Sequence, residues 1–279
     1  MTQRGLVLGG GGITGIAWQL GMLAGLAAQG IELTNADLVV GTSAGSIVGA
    51  QLTSGASVAD LYQAQLGPAD GDISARMGSN ARIRYLLALC SRDGLRARVR
   101  IGRMALASPE LVESRRREVI MSRLPSQDWP AQKLLITVVD ADSGECAVFS
   151  SGDGVSLVDA VAASCAVPGV WPPLLINGKR WMDGGMRSAS NADLAGECDR
   201  IVVLAPVARG FRNVMPAATR LCKAMTRAGR SVALLTPDRA ALAAIGPNLL
   251  DSARRADAAQ AGYAQAANVA VRVADVWSG

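Results

Sequence analysis

The chain contains no histidine in its 279 residues, and that absence excludes more than any other feature of the composition. A serine nucleophile is ordinarily activated by an imidazole that a carboxylate orients; here any such nucleophile needs another base. Phe, Trp and Tyr make up only 4% of the residues. Little is left from which to build the aromatic platforms on which single-stranded nucleic acids stack, so nucleic acid is not expected as a partner. The five cysteines, Cys90, Cys146, Cys165, Cys198 and Cys222, are odd in number, widely spaced and without a C-x-x-C pair. Neither a disulfide framework nor a zinc site fits them, no metal is expected, and a reducing compartment is implied. No apolar run reaches the roughly 18 residues needed to span a bilayer. Arg4 precedes an apolar stretch that resembles a secretory leader, but four consecutive glycines and Gln19 interrupt it, and the chain reads as cytoplasmic.

What is present is apolar residues, half of the total, enough to fill the core of one large α/β domain over residues 1–279. The net charge of +5 is unevenly spread, since residues 76–123 hold twelve arginines against Asp93, Glu110, Glu113 and Glu118, a local +8. An anionic membrane surface touched from outside or an acidic partner suits that stretch, as does an ordinary solvated face. Arg220, Lys223, Arg227 and Arg230 fall at helical spacing, opposite Leu221, Met225 and Ala228, and admit the same two readings.

Along the chain, Gly5 to Leu8 is a short apolar run, followed by Gly9 to Gly12 and a segment from Ile16 to Ala28 that is apolar all round. This predicts a buried strand and a buried helix that Gly30 ends. Leu38 to Val40 and Ala44 to Leu52 repeat the alternation, which points to a parallel sheet with right-handed crossovers. A further helix is expected over residues 57–66. Residues 67–106 are rich in Gly, Ser and Arg, with one helix around 82–90, and suggest a mobile cap over a site. Pro109 to Leu124 returns to helix with Ser108 as N-cap and Glu110 in the first turn. Leu134 to Val139 and Cys146 to Phe149 form a hairpin, and a helix over 157–165 is stopped by Pro168. The dipeptide Asn177-Gly178 predicts a tight hairpin between 171–176 and 179–182. Strands at 201–205 and 232–235 and a helix over 251–267 close the chain.

The stretch Gly41-Thr42-Ser43-Ala44-Gly45 joins the second strand to its helix and fits a nucleophile elbow, in which Gly41 and Gly45 allow close backbone approach and Ser43 is exposed. An ordinary tight turn has the same signature. The run Gly10-Gly11-Gly12-Ile13-Thr14-Gly15 fits the dinucleotide fingerprint, but the acidic residue expected at the end of the second strand is missing. Read otherwise, its glycine amides at a helix N-terminus bind an anionic oxygen, which beside a serine nucleophile is an oxyanion hole. The base is then sought among the carboxylates. Asp183 follows a strand and precedes Gly184 and Gly185, whereas Asp140 and Asp142 lie in a hairpin turn and Asp159 and Asp199 resemble element caps.

These three motifs, in this order and without histidine, resemble the bacterial patatin-like phospholipase family, which carries G-G-G-x-[RK]-G, G-x-S-x-G and D-G-[AG]. The stretches 163–169 and 191–194 also resemble it. The resemblance implies a three-layer α/β/α sandwich with a mainly parallel central sheet. It also implies a Ser43–Asp183 dyad, an oxyanion hole from Gly10, Gly11 and Gly12, and supporting glycines at 15, 41, 45, 184 and 185. Lipid ester or phospholipid would be the substrate, with no cofactor. One position departs from the pattern: Thr14 stands where the family carries Arg or Lys. That departure favours a catalytically weak lipid-binding or regulatory protein as the alternative, with a nucleotide-binding enzyme as a third reading. Trp171, with Pro172 and Pro173, either lines an acyl pocket or belongs to the core.

Overall fold

The computed structural model describes residues 2–68, 78–107, 113–211 and 214–278. In chain order the elements are β1 (Arg4–Leu8), α1 (Gly12–Ala28), β2 (Leu38–Gly41), α2 (Ala44–Thr53), α3 (Val58–Leu66), α4 (Ser79–Leu89), α5 (Gly94–Leu106), α6 (Glu113–Arg123), β3 (Lys133–Asp140), β4 (Cys146–Phe149) and α7 (Leu157–Ser164). They continue as β5 (Leu174–Ile176), β6 (Lys179–Asp183), β7 (Arg200–Leu204), α8 (Ala218–Arg227), β8 (Ser231–Leu235), α9 (Arg239–Ile245) and α10 (Arg255–Ser278). The sheet runs β5-β6-β3-β2-β1-β7-β8, with β4 also paired to β3. Neighbours from β3 to β8 are parallel, while β4, β5 and β6 pair antiparallel.

The strands alternate their side chains between two helical layers, as the period of two requires. Leu6, Leu8, Val39, Val202 and Leu204 face a core shared with α1, α2, α7 and α10. Val7, Leu38, Val40, Ile201 and Val203 face the opposite layer, which includes α8. With helices on both faces of a mainly parallel sheet, the architecture is the expected α/β/α sandwich. α1 is buried at every position from Ile13 to Leu26, which explains why its sequence shows no polar stripe. Its small residues let α10 approach closely: a side chain at Gly21 or Gly262 would collide with the backbone of Ala259 or Trp18. Trp18 Nε1 donates to Gln265 Oε1 across the same contact at 3.0 Å.

Three expectations need correction. The stretch over 78–107 holds two helices rather than one. α5 escapes the usual pattern because its buried positions are mostly small or single, Ala97, Ile101, Gly102 and Ala105, between exposed arginines. Second, α10 starts at Arg255 and runs to Ser278, with Asp251 capping a separate short turn. Third, Arg230 lies beyond the end of α8 and pairs with Asp199 at 3.1 Å. Residues 69–77 of the expected cap, and the expected capping residues Ser108 and Glu110, lie outside the described residues. The hairpin turn is as expected, with Asn177 and Gly178 at φ of 49° and 77°.

Candidate active site

Ser43 joins β2 to α2 with φ of 52° and ψ of −119°, a strained conformation for a residue with a side chain. The surrounding packing enforces it. A Cβ at Gly41 would lie 2.6 Å from Ser46 Cα, and one at Gly45 would overlap the carbonyl of Leu8. Both glycines are therefore required by contact, which distinguishes an elbow from an ordinary turn. The Ser43 backbone N–H donates to Ser164 Oγ at 2.9 Å, and Ser46 Oγ donates to the Ser43 carbonyl at 2.6 Å. Only 8% of Ser43 is exposed.

The glycine loop rises from β1 beside it. Gln19 Nε2 donates to the carbonyls of Gly9 and Gly15 at 3.2 and 3.0 Å, pinning the loop from beneath. The Gly10 amide donates to the Ala189 carbonyl at 2.7 Å, so this expected oxyanion donor is already engaged and anchors the loop. Gly11 precedes the first residue of α1, and Gly12 has φ of 61°. Their amides make no backbone hydrogen bond to the described residues. Gly11 is packed so closely that a Cβ would lie 2.6 Å from Pro206 Cβ and 2.9 Å from Gly15 Cα. Thr14 is fully buried, and both its amide and its hydroxyl donate to the Leu249 carbonyl, at 3.1 and 3.3 Å. The position where the family carries a cation is thus closed over by the 248–250 segment.

Sheet register brings Asp183 to the level of the elbow. Gly41 pairs with Ile136 on β3, and two residues further on Val138 pairs with Asp183, the last residue of β6. Asp183 therefore arrives on an antiparallel strand, reversed by the Asn177-Gly178 hairpin, and not at the carboxyl end of a parallel strand. Its carboxylate is 2% exposed, and Oδ1 accepts the Gly185 N–H at 2.7 Å. A Cβ at Gly185 would lie 2.9 Å from that oxygen, and one at Gly184 would overlap the Thr137 hydroxyl. The Asp183 amide donates to the Ala166 carbonyl at 3.0 Å. Ser43 and Asp183 are thus tied to Ser164 and Ala166, two residues apart on one segment.

A second tie runs beneath them. Asn191 is fully buried in the left-handed region, at φ of 47°, and its Nδ2 faces four acceptors: Thr42 Oγ1 at 3.1 Å, Thr137 Oγ1 at 3.3 Å, the Gly184 carbonyl at 3.2 Å and the Ser188 carbonyl at 2.8 Å. One amide thereby joins the residue before Ser43 to the residue after Asp183. Arg187 holds Asn191 Oδ1 at 2.8 Å while pairing with Asp193. The stretches 163–169 and 191–194 match the family pattern in sequence, but that match assigns no task to Ser164, Ala166 or Asn191. The uncommon left-handed asparagine is visible only in the backbone.

Three of the four competing carboxylates are engaged elsewhere, and Asp142 gives its amide to Asp140. Asp140 Oδ1 accepts the amides of Asp142 and Ser143, Asp159 pairs with Arg117, and Asp199 pairs with Arg230. Tyr85 on α4, which no motif or spacing singles out, packs half-buried against the cluster containing Met182 and Met186, the residues flanking the Asp183 turn. Its phenol is pushed up to about 12, first by burial and then by the Asp183 carboxylate.

Ser43 opens into a cleft lined by Gly12, Ile13, Ile16, Ile47, Val119, Ile120, Val167, Trp171 and Leu250, with Cys165 and Arg123 as its other polar members. Its cavity volume is about 80 Å³, a narrow slot beside the roughly 300–1,000 Å³ usual for small-ligand pockets. Trp171 therefore belongs to the cleft. Asp183 is not among the lining residues, and its amide is anchored to the Ala166 carbonyl beside Cys165, which is.

Among solved structures, VipD from Legionella pneumophila is 18% identical, over 66% of this chain and 46% of that one, at a TM-score of 0.38. The type III effector protein ExoU is 19% identical, over 96% of this chain and 53% of that one, at 0.41. The chain thus spans about half the length of these two proteins. No curated protein matches it. The patatin-like phospholipase profile matches residues 6–195, which include the glycine loop, the elbow and Asp183, and the chain belongs to that family.

Proposed function

We propose that the chain is a lipid acyl hydrolase in which Ser43 is the nucleophile and Asp183 the proton acceptor. The observation that carries the reading is the strained Ser43, at the mouth of an apolar cleft and tied through residues 164–166 to a buried carboxylate. Asp183 takes the Ser43 proton as Oγ attacks the ester carbonyl, and the amides of Gly11 and Gly12 stabilise the oxyanion. Collapse expels the alkoxide, which recovers the proton from Asp183 and leaves an acyl-Ser43 ester. Water, giving a proton to the same carboxylate, then attacks the acyl carbonyl, and collapse releases the fatty acid while Ser43 Oγ recovers the proton from Asp183. The acyl chain occupies the apolar cleft, and Arg123 at its edge favours substrates carrying a phosphate. The whole of 1–279 acts as one catalytic unit, since β7 and β8 beyond residue 195 continue the sheet that carries the site.

Hydrolysis of a panel of phospholipids, lysophospholipids and short-chain esters, comparing the parent protein with Ser43→Ala, tests the proposal. Release of fatty acid by the parent and none by the variant is expected. Equal release by both would place the activity elsewhere, and no release from any ester would refute it.

A further inference from the structure

α4 is apolar on two sides. One stripe, Tyr85, Ala88 and Leu89, turns inward onto the strand that ends in Asp183. A second stripe at the same helical spacing, Ile83, Leu86 and Leu87, is 57%, 57% and 62% exposed. With Leu95 at the start of α5, this small region supplies four of the nine large apolar side chains exposed among the described residues. A clustering of that kind is uncommon on a surface that meets only water.

The charge around this patch has one sign. Residues 78–107 contain seven arginines and one acid, Asp93, which caps α5 and pairs with Arg96 at 3.5 Å. Arg84, Leu87, Arg100, Arg103 and Met104 line a shallow groove between α4 and α5, so guanidinium groups and the exposed Leu87 share one face. Arg84, Arg92 and Arg103 have no ion-pair partner among the described residues. The platform beneath is firmly seated. A Cβ at Gly102 would overlap the Ala141 carbonyl, and Arg98 Nε donates to the Gly144 carbonyl at 2.6 Å. α8 provides the contrast: it is also basic, but Ala218, Cys222 and Met225 all point inward and its outer face is polar.

We propose that the outer face of α4 and α5 docks on an anionic lipid bilayer, with Ile83, Leu86, Leu87 and Leu95 entering the acyl boundary and the arginines held at the phosphates. Leucines inserted among cations match a surface that is apolar within and negatively charged above. A nucleic acid offers the charge without the apolar layer, and a second copy of this basic face would repel the first. The inference rests on the hydrolase reading only for its purpose, since the inner side of the same helix packs beside the turn of Asp183 and docking holds the site at the lipid surface.

The test is co-sedimentation with vesicles, using the Ser43→Ala protein so that the lipid stays intact. Vesicles of phosphatidylcholine alone are compared with vesicles of phosphatidylcholine and phosphatidylglycerol, and the folding of each variant is checked by thermal unfolding. Binding to the mixed vesicles is expected to exceed binding to the neutral ones by about 30-fold or more and to weaken with salt. Arg84→Ser with Arg103→Ser should lower the partition about 30-fold, from a factor of roughly 5 for each cation at an anionic surface. Leu86→Ser with Leu87→Ser should lower it by about 10-fold or more, and Arg220→Ser with Lys223→Ser on α8 should leave it unchanged. Equal binding to both vesicles, no binding to either, or an equal loss from the α8 pair would overturn the proposal. So would a dimer in solution that only the Leu86 and Leu87 pair dissolves, which would assign the face to a second copy. Hydrolysis of a soluble short-chain ester by the parent protein is read separately, so a failed hydrolase reading leaves the vesicle result standing.

Discussion

The two halves of the site are held in different ways. Ser43 and the glycine loop sit on the parallel half of the sheet, and their positions are dictated by backbone contact: no side chain fits at Gly11, Gly41 or Gly45, and Ser43 keeps an unfavourable φ as a result. Asp183 sits on the antiparallel half, where strand β6 ends. There the position is set by hydrogen bonds: the Asp183 amide donates to the Ala166 carbonyl, the Gly185 N–H donates to the carboxylate, and Asn191 holds the Gly184 carbonyl next to it. A nucleophile must project at one angle, which steric exclusion provides. A base must keep its carboxylate in place, which hydrogen bonds provide. The first half should therefore fail abruptly when altered, and the second by degrees.

The largest expected effects remove the chemistry itself. Ser43→Ala and Asp183→Asn should each lower kcat/KM by about 10⁴-fold or more, and the double variant should be no worse than the poorer single one. Additive losses in ester turnover would mean that the two residues act separately. Next comes the glycine loop, where Gly11→Ala forces a methyl against Pro206 and displaces an oxyanion donor. The loss of one donor costs on the order of 2.7 to 4 kcal/mol of transition-state stabilisation. A Gly11→Ala protein of unchanged kcat would remove the loop from the mechanism.

Graded behaviour is expected on the other side. Asn191→Ala leaves the hydroxyls of Thr42 and Thr137 and two carbonyls short of a donor, which costs about 1–3 kcal/mol of stability. It should lower kcat by roughly 10 to 100-fold with little change in KM, because the cleft is untouched. Introduced into Asp183→Asn, the same change should lower turnover no further. An equal loss in both backgrounds would make Asn191 a structural residue alone.

The smallest effect concerns pH. An unfolded chain releases the Tyr85 proton near the ordinary value of 10.0, while the folded protein keeps it until about 12. The neutral phenol therefore contributes stability that is full below pH 10 and is lost as the pH rises towards 12. Tyr85→Phe should flatten that part of the unfolding midpoint against pH, leaving a remainder from Tyr62, which is also raised. An unchanged profile would mean that the Tyr85 phenol is not raised by its burial and the Asp183 carboxylate.

The same division decides how much of the molecule is legible in its sequence. Sterically enforced parts leave a local signature, because glycine is the residue that such contacts allow; the loop, the elbow and Gly184 all stand out as short glycine motifs. The parallel strands read as short apolar runs for an equally local reason. Parts held by long-range polar contact leave no such mark. Asn191 reaches Thr42 across 149 positions, Ser164 reaches Ser43 across 121, and Gly10 spends its amide on Ala189, which removes it from the expected oxyanion hole. α5 hides from a reading of periodicity because arginines outnumber its few buried apolar residues.

Covalent capture tests the central claim most directly. A fluorophosphonate ester, followed by peptide mass spectrometry, reports which hydroxyl is nucleophilic and how fast it reacts. The account predicts one adduct, on the peptide carrying Ser43, formed about 100-fold or more slower in Asp183→Asn, the lower range for losing general-base assistance. An adduct on another residue, or labelling of Ser43 at the same rate without the Asp183 carboxylate, would contradict it.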